Sequence, residues 1–123
     1  MAILPKGVLG VFVVFLLFFP SLAYSATLST PNYRVEIKNN CEEGVVACDD
    51  VTYFGTSKIS GNSLELKGST WHTICADGVT PCRFLGYVFE NQGTVYRVYD
   101  SGMLTVTKED GVVLVEEQGE WIY

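Results

Sequence analysis

The sequence predicts an all-β protein, a small antiparallel barrel or sandwich of seven to eight strands with two disulfide-closed turns. Three observations support this fold class. Apolar and polar residues alternate along several segments, turn-forming pairs separate those segments, and the four cysteines lie in two segments of one shared pattern. Alternation with period two is typical of strands that bury one face. Because open sheet edges favour aggregation, we expect the sheet to close into a barrel or to fold over into a sandwich.

The N-terminus has the layout of a secretory signal peptide. Lys6 precedes an apolar run from Val8 to Phe19, Pro20 ends the run, and small residues follow at the spacing that a signal peptidase reads. The run is shorter than the roughly 20 apolar residues that a membrane-spanning helix needs. We therefore expect cleavage, export to the periplasm or the extracellular space, and no stable membrane anchor afterwards.

This layout divides the chain into three segments. Residues 1–23 form the predicted signal peptide, residues 24–32 a flexible N-terminal segment, and residues 33–123 a single β domain. A chain of this size buries only a modest core, so covalent links would add to its stability. An oxidising compartment permits such links.

The strand pattern is clearest in three segments. Their apolar positions are Tyr33, Val35 and Ile37 in YRVEIK, Leu64 and Leu66 in SLELK, and Leu104 and Val106 in MLTVTK. Turn formers separate the apolar runs at Gly61-Asn62, Asp77-Gly78, Gln92-Gly93, Ser101-Gly102 and Asp110-Gly111. The last three pairs lie about nine residues apart, which predicts a simple meander of strands in the C-terminal half.

Two segments, CEEGVVAC at 41–48 and CADGVTPC at 75–82, share the pattern Cys-x-acid-Gly-Val-x-x-Cys. An acid-Gly pair turns the chain, so the flanking cysteines can approach to the roughly 5.5–6 Å between Cα atoms that a disulfide requires. We therefore favour the pairs Cys41–Cys48 and Cys75–Cys82. The two alternative connectivities, which join one segment to the other, stay open because sequence alone does not fix pairing.

The same cysteines could instead form a zinc site, with His72 as a further ligand. Structural zinc sites usually present ligands as Cys-x-x-Cys, a spacing that neither segment has. Disulfide formation would also remove the thiols that zinc binding or nucleophilic catalysis needs. We therefore expect no metal, no cofactor and no catalytic residue.

The balance of charge restricts the class of partner. Without Lys6 the chain has seven basic residues against fourteen acidic ones, and the basic residues are scattered singly. Nucleic acids and anionic membranes require clustered cations, so neither is an expected partner. An acidic surface suits a basic protein partner.

Aromatic residues are numerous and fall on both faces of the predicted strands. Alternation places Phe84 away from Tyr87 and Phe89, and Tyr96 away from Tyr99. One face can form the core, so the other shows tyrosine to solvent or to a partner. The candidate binding residues are Trp71, His72, Asp77, Tyr87, Tyr96 and Tyr99.

In size, export signal, acidity and paired cysteines, the chain resembles small periplasmic lysozyme inhibitors and immunity-type proteins in general character, an analogy that rests on no shared motif. We expect a protein that acts by binding and that inhibits or neutralises a basic extracytoplasmic enzyme. One alternative is a small secreted enzyme that uses His72 with an acid such as Asp77. Another is a non-catalytic, envelope-associated structural protein.

Overall fold

The computed structural model describes residues 24–123, and the predicted signal peptide at 1–23 lies outside the described residues. The described chain forms one antiparallel sheet of nine strands. No helix between residues 24 and 123 is long and apolar enough to cross a membrane. The strands are β1 (Tyr24–Ser29), β2 (Tyr33–Asn39), β3 (Val51–Ser57), β4 (Ser63–Ile74), β5 (Pro81–Asn91), β6 (Thr94–Tyr99), β7 (Met103–Lys108), β8 (Val113–Gln118) and β9 (Glu120–Ile122).

Each strand from β1 to β8 pairs with the next strand along the chain, so the meander predicted for the C-terminal half extends over the whole sheet. The sheet curls into a nearly closed barrel because the last segment has two partners. Its first part, β8, pairs with β7, and after Gly119 its second part, β9, pairs with β1. The expected seven to eight strands become nine, since this closing segment counts twice and β1 adds a strand.

The closing seam depends on a close approach of backbone at Gly119. A Cβ atom at this position would lie 2.5 Å from the carbonyl oxygen of Ser29 and 2.7 Å from Cγ2 of Thr30. The amide of Gly119 also donates to the carbonyl of Gly102 at 2.8 Å. Only a residue without a side chain therefore lets β8 continue into β9 between these neighbours.

Glu117 ties the same seam to the β1–β2 turn. Its carboxylate accepts hydrogen bonds from the Thr30 hydroxyl at 2.8 Å and from the Asn32 amide nitrogen and side chain at 3.0 and 2.7 Å. Burial alone would raise the pKa of Glu117, but the hydrogen bonds from Asn32 and Thr30 together outweigh it and hold the pKa below its ordinary value. The carboxylate is therefore a structural anchor of the barrel.

The inner face of the barrel holds the core that the alternation predicts. Val35 and Leu104 are fully or almost fully buried, and the strand neighbours of each are exposed or only half-buried. Each of the five predicted turn pairs contains a glycine with positive φ, as its turn requires. The buried apolar residues of the described chain are Leu28, Val35, Ile37, Cys48, Val51, Tyr53, Leu66, Phe89, Val98, Leu104 and Val106.

The structure differs from the sequence-based expectation in two local respects. The segment 24–32, expected to be flexible, contains β1, because Leu28 enters the core and its strand fills the gap between β2 and β9. The prediction that Phe84 faces away from Tyr87 is wrong. A register shift between β4 and β5 puts both on one face, with their rings 5.3 Å apart.

Antiparallel neighbours run in opposite directions, so their connections leave the barrel at alternate ends. Residues 40–50, 75–80 and 100–102 connect strands at one end, which we call the disulfide end. The turns at 30–32, 58–62, 92–93 and 109–112 connect strands at the opposite end.

Candidate functional site

The disulfide end carries both cystines. Cys41 pairs with Cys48 and Cys75 with Cys82, at Cα separations of 5.9 and 5.2 Å, so the predicted local pairing is confirmed. All four cysteines lie within residues 24–123, and none of them is free. Two disulfides in so small a protein are typical of oxidising, extracytoplasmic compartments.

The first disulfide loop, residues 40–50, is packed against the barrel. Cys48 is only 2% exposed and belongs to the core, and Cys41 packs against that core. The loop also pairs with the edge of β4, since the amide of Thr70 donates to the carbonyl of Cys48 at 2.8 Å. This loop therefore covers one end of the barrel, while Val46 at its tip stays 70% exposed.

The second disulfide loop closes the tip of a hairpin that projects beyond the barrel wall. β4 pairs with β3 only as far as Gly68, and β5 pairs with β6 only from Gly86 onward. The remaining residues of both strands extend past these neighbours to the ring that Cys75 and Cys82 close. Ile74 and Val79 near this tip are exposed apolar residues. The covalent ring restrains this tip, so binding through the tip would cost little further conformational entropy.

Asp77 shapes this tip from within. Its Oδ1 atom accepts from the amides of Val79 and Thr80, both at 2.9 Å, and its Oδ2 atom accepts from the Thr80 hydroxyl. These hydrogen bonds, with the Thr80 hydroxyl contributing most, lower the pKa of Asp77 to about 2. Asp77 therefore stabilises the turn, and its fully exposed carboxylate adds negative charge there.

The connections of the disulfide end are uniformly acidic. They contain six carboxylates and neither lysine nor arginine. Lys67 of β4 lies beside this region and forms an ion pair with Asp50 at 3.5 Å. The charge of the opposite end differs in sign at one position, because one of its connections contains Lys58. The six acids are Glu42, Glu43, Asp49, Asp50, Asp77 and Asp100.

Two candidate binding residues, Trp71 and Tyr99, meet on the outer wall near the disulfide end. Their ring centroids lie 5.3 Å apart in an edge-to-face arrangement. The guanidinium of Arg97 lies 5.3 Å from the Trp71 ring, a distance that allows a cation–π contact. All three residues are half-buried, so the two rings and the guanidinium pack against the barrel wall and remain partly accessible to solvent.

His72 and Tyr87 lie in a second group, on the inner face at the disulfide end. His72 Nε2 lies 3.1 Å from the Thr70 hydroxyl, and its ring packs edge-on against Phe84 at 5.5 Å. Its buried Nδ1 has no hydrogen-bond partner among the described residues. Burial, with smaller contributions from Asp100 and Tyr123, raises the pKa of the Tyr87 hydroxyl.

Tyr96 occupies a third place, deeper in the barrel, where its ring lies 5.6 Å from that of Tyr53. The six candidates thus do not form one site. Trp71, Tyr99 and Asp77 face outward at or near the disulfide end, His72 and Tyr87 line its inner side, and Tyr96 lies in the interior.

Sequence reasoning missed the exposed apolar residues of the two loops. Val45 and Val79 occupy the same position in the shared cysteine pattern, directly after its glycine, and both are exposed. That repeated Gly-Val was the available signal. Arg97 was also missed, because only the strand register places it beside Trp71.

Metal binding and covalent catalysis each need a specific arrangement of side chains. Among residues 24–123, no group of three or more His, Cys, Asp or Glu side chains is placed to hold a metal ion. All four sulfurs are in disulfides, which removes the thiolates that the zinc alternative requires. The hydrogen bonds of Asp77 go to its own loop and that of His72 goes to Thr70, so none joins the proposed His72–Asp77 pair.

No protein-family model, no curated protein and no solved structure matches this chain.

Proposed function

We propose that the protein binds a basic extracytoplasmic protein through its disulfide end and thereby inhibits it. The observation that carries this proposal is the projecting β4–β5 hairpin, whose covalently closed tip exposes Ile74 and Val79 beside Asp77. A rigid, projecting loop loses little conformational entropy on binding and can enter a cleft. Occupation of an enzyme's cleft is the simplest way for such a loop to inhibit it.

Charge supports a basic partner. The acids of the disulfide end lie in the same connections as its exposed valines, and those connections contain no lysine or arginine. Carboxylates at the rim of an interface accelerate encounter with a cationic partner, while apolar residues at its centre provide most of the binding free energy. Trp71 and Tyr99, side by side on the adjacent wall, extend this surface with the aromatic residues that protein interfaces favour.

The alternative of an enzyme built on His72 has less support. The imidazole is half-buried, its one hydrogen bond among the described residues goes to Thr70, and a phenylalanine ring covers it. Substitution of His72 by alanine distinguishes the two functions, because it would abolish such an enzyme's activity but leave binding at the hairpin tip nearly unchanged.

The test is capture of basic proteins from secreted and envelope extracts on immobilised residues 24–123, followed by activity assays of each captured enzyme. The variant Glu42→Lys/Glu43→Lys reverses two charges at the disulfide end. The matched control Glu90→Lys/Glu116→Lys makes the same change in net charge on exposed strand positions elsewhere.

We expect the wild type and the control to capture and inhibit the same basic enzyme, and the disulfide-end variant to lose it. Binding should also weaken between about 0.05 and 0.5 M NaCl, since salt screens exposed charges. Equal loss in both variants would show that net charge alone governs binding, and capture without inhibition would reject the inhibitor function.

A further inference from the structure

A cavity of about 360 Å³ lies inside the barrel toward the opposite end, away from the disulfides. Its wall is largely apolar, with Leu104, Val106 and Val115 on β7 and β8. Leu64 and Leu114, both partly exposed, stand at its mouth. No lysine, arginine, histidine, aspartate or glutamate is among the described residues that line it.

The polar side chains that line this cavity are three tyrosines, Tyr33, Tyr53 and Tyr96, together with Ser57, Asn62 and Ser63. Tyr53 is 3% exposed, and its ring lies over Gly55, where a Cβ atom would stand 2.6 Å from the Tyr53 hydroxyl. Gly55 thus provides the space that this ring occupies. None of the three tyrosine hydroxyls has a hydrogen-bond partner among residues 24–123.

Burial raises the pKa of Tyr53 well above its ordinary value, and the neighbouring Tyr96 and Tyr33 raise it further. The phenol therefore keeps its proton at any physiological pH and can donate a hydrogen bond into the cavity. A hydroxyl donor that faces a largely apolar cavity favours a ligand that supplies an acceptor there and apolar surface elsewhere.

We propose that this cavity binds an uncharged, chiefly apolar small molecule whose hydroxyl or carbonyl oxygen faces the tyrosine hydroxyls. At the ~30 Å³ that a water molecule occupies in the liquid, the cavity accommodates roughly a dozen non-hydrogen atoms. A carboxylate or ammonium group would have no counter-charge among the lining residues, so charged analogues are disfavoured. The site is separate from the protein-binding surface of the disulfide end and does not depend on it.

The probes are octan-1-ol and octanoate, which share a chain length and differ in charge. Each is titrated into residues 24–123 while two-dimensional NMR follows the backbone amides. We expect octan-1-ol to shift the signals of β3, β6 and β7 around the cavity, and octanoate to bind at least roughly tenfold more weakly because its charge must be desolvated.

Two variants locate the site. Val106→Phe fills the interior from β7, and Leu64→Trp narrows the mouth from a position where the larger ring can extend into solvent. Each should weaken octan-1-ol binding by tenfold or more. Thr105→Phe, the neighbouring position on the outer face of β7, is the matched control and should leave the affinity within about twofold.

The proposal fails if octan-1-ol shifts no cavity signal up to its solubility limit, or if the two alkyl probes bind equally. It also fails if Leu64→Trp, with its fold verified by the same spectra, binds octan-1-ol like the wild type. The charge-reversal variant Glu42→Lys/Glu43→Lys should bind octan-1-ol normally, which separates this site from the proposed inhibitory function.

Discussion

Cys48 and Thr70 are joined by hydrogen bonds in both directions, one between their backbones and one through the Thr70 side chain. The Thr70 amide donates to the Cys48 carbonyl at 2.8 Å, and the Cys48 amide donates to the Thr70 hydroxyl at 2.9 Å. The same hydroxyl lies 3.1 Å from His72 Nε2. A single threonine on β4 therefore fixes the first disulfide loop against the barrel and orients the histidine beside it.

Replacement of Thr70 by valine should loosen this loop. The valine keeps the shape and the backbone hydrogen bond but leaves the Cys48 amide without its acceptor, at a cost of about 1–3 kcal/mol in the free energy of unfolding. Urea denaturation measures this loss. The control Thr107→Val, on the outer face of β7 where the hydroxyl has no hydrogen-bond partner among residues 24–123, should change stability by less than about 0.5 kcal/mol. Equal losses in the two variants would contradict a specific role for Thr70.

The two disulfides should differ in their contribution to stability although their rings are of equal size. Both join cysteines seven residues apart, so loop closure stabilises each by about 2.5 kcal/mol. Cys48 is buried in the core whereas Cys82 is exposed, so Cys41→Ala/Cys48→Ala should cost about 1–2 kcal/mol more than Cys75→Ala/Cys82→Ala. Thermal unfolding of the two double variants gives this difference directly.

Reduction should follow the same order. A mild reductant should open Cys75–Cys82 before Cys41–Cys48, because thiolate attack requires access to the sulfur. Alkylation and mass spectrometry at successive times reveal the order, and simultaneous opening would show that burial of Cys48 does not protect its disulfide.

Acid should loosen the hairpin tip through Asp77. Its pKa is about 2 in the folded protein and about 3.9 in an unfolded chain. A depressed folded-state pKa means that the stabilisation is complete above about pH 4 and is lost as the pH falls through about 2. NMR signals of the Val79 and Thr80 amides should titrate with that midpoint and should not do so in Asp77→Asn. A midpoint near 3.9 would mean that these hydrogen bonds do not persist in solution.

Gly119→Ala should open the seam of the barrel. The new Cβ would lie only 2.5 Å from the Ser29 carbonyl oxygen. The backbone at Ser29 or at position 119 must therefore move, which lowers the free energy of unfolding by about 2 kcal/mol or more. Gly111→Ala is the control, since its Cβ would meet no atom within 4 Å and only its positive φ opposes the change, at about 1 kcal/mol. Amide exchange in β1 and β9 should accelerate in the first variant alone.

The sequence was sufficient for features that depend on neighbours along the chain. Alternation located the faces of β2 and β7, turn pairs located the hairpins, and the repeated cysteine pattern identified both disulfides. Each of these rests on contacts between residues close in sequence, where side-chain type and spacing determine the geometry.

Features that depend on distant strands escaped prediction. The role of β1 is visible only when β9 is known to pair with it, and the register shift that brings Phe84 to Tyr87 arises between two strands rather than within one. The candidate residues lie in three places for a related reason. Alternation puts the neighbours Trp71 and His72 on opposite faces, and the curvature of the sheet decides which of these faces becomes the interior. No local pattern encodes that curvature.

The C-terminal segment, in which β8 pairs with β7 and β9 pairs with β1, also sets the order in which the protein can fold. Leu28 pairs with Trp121, so residues at the two ends of the described chain must meet before the wall is complete. Hairpins and disulfide rings need only local encounters and can form early, whereas contacts between distant positions form slowly. A chain that emerges N-terminus first would therefore remain an open, curled sheet until residues 120–122 are released, and premature arrest would leave β1 as an unprotected edge.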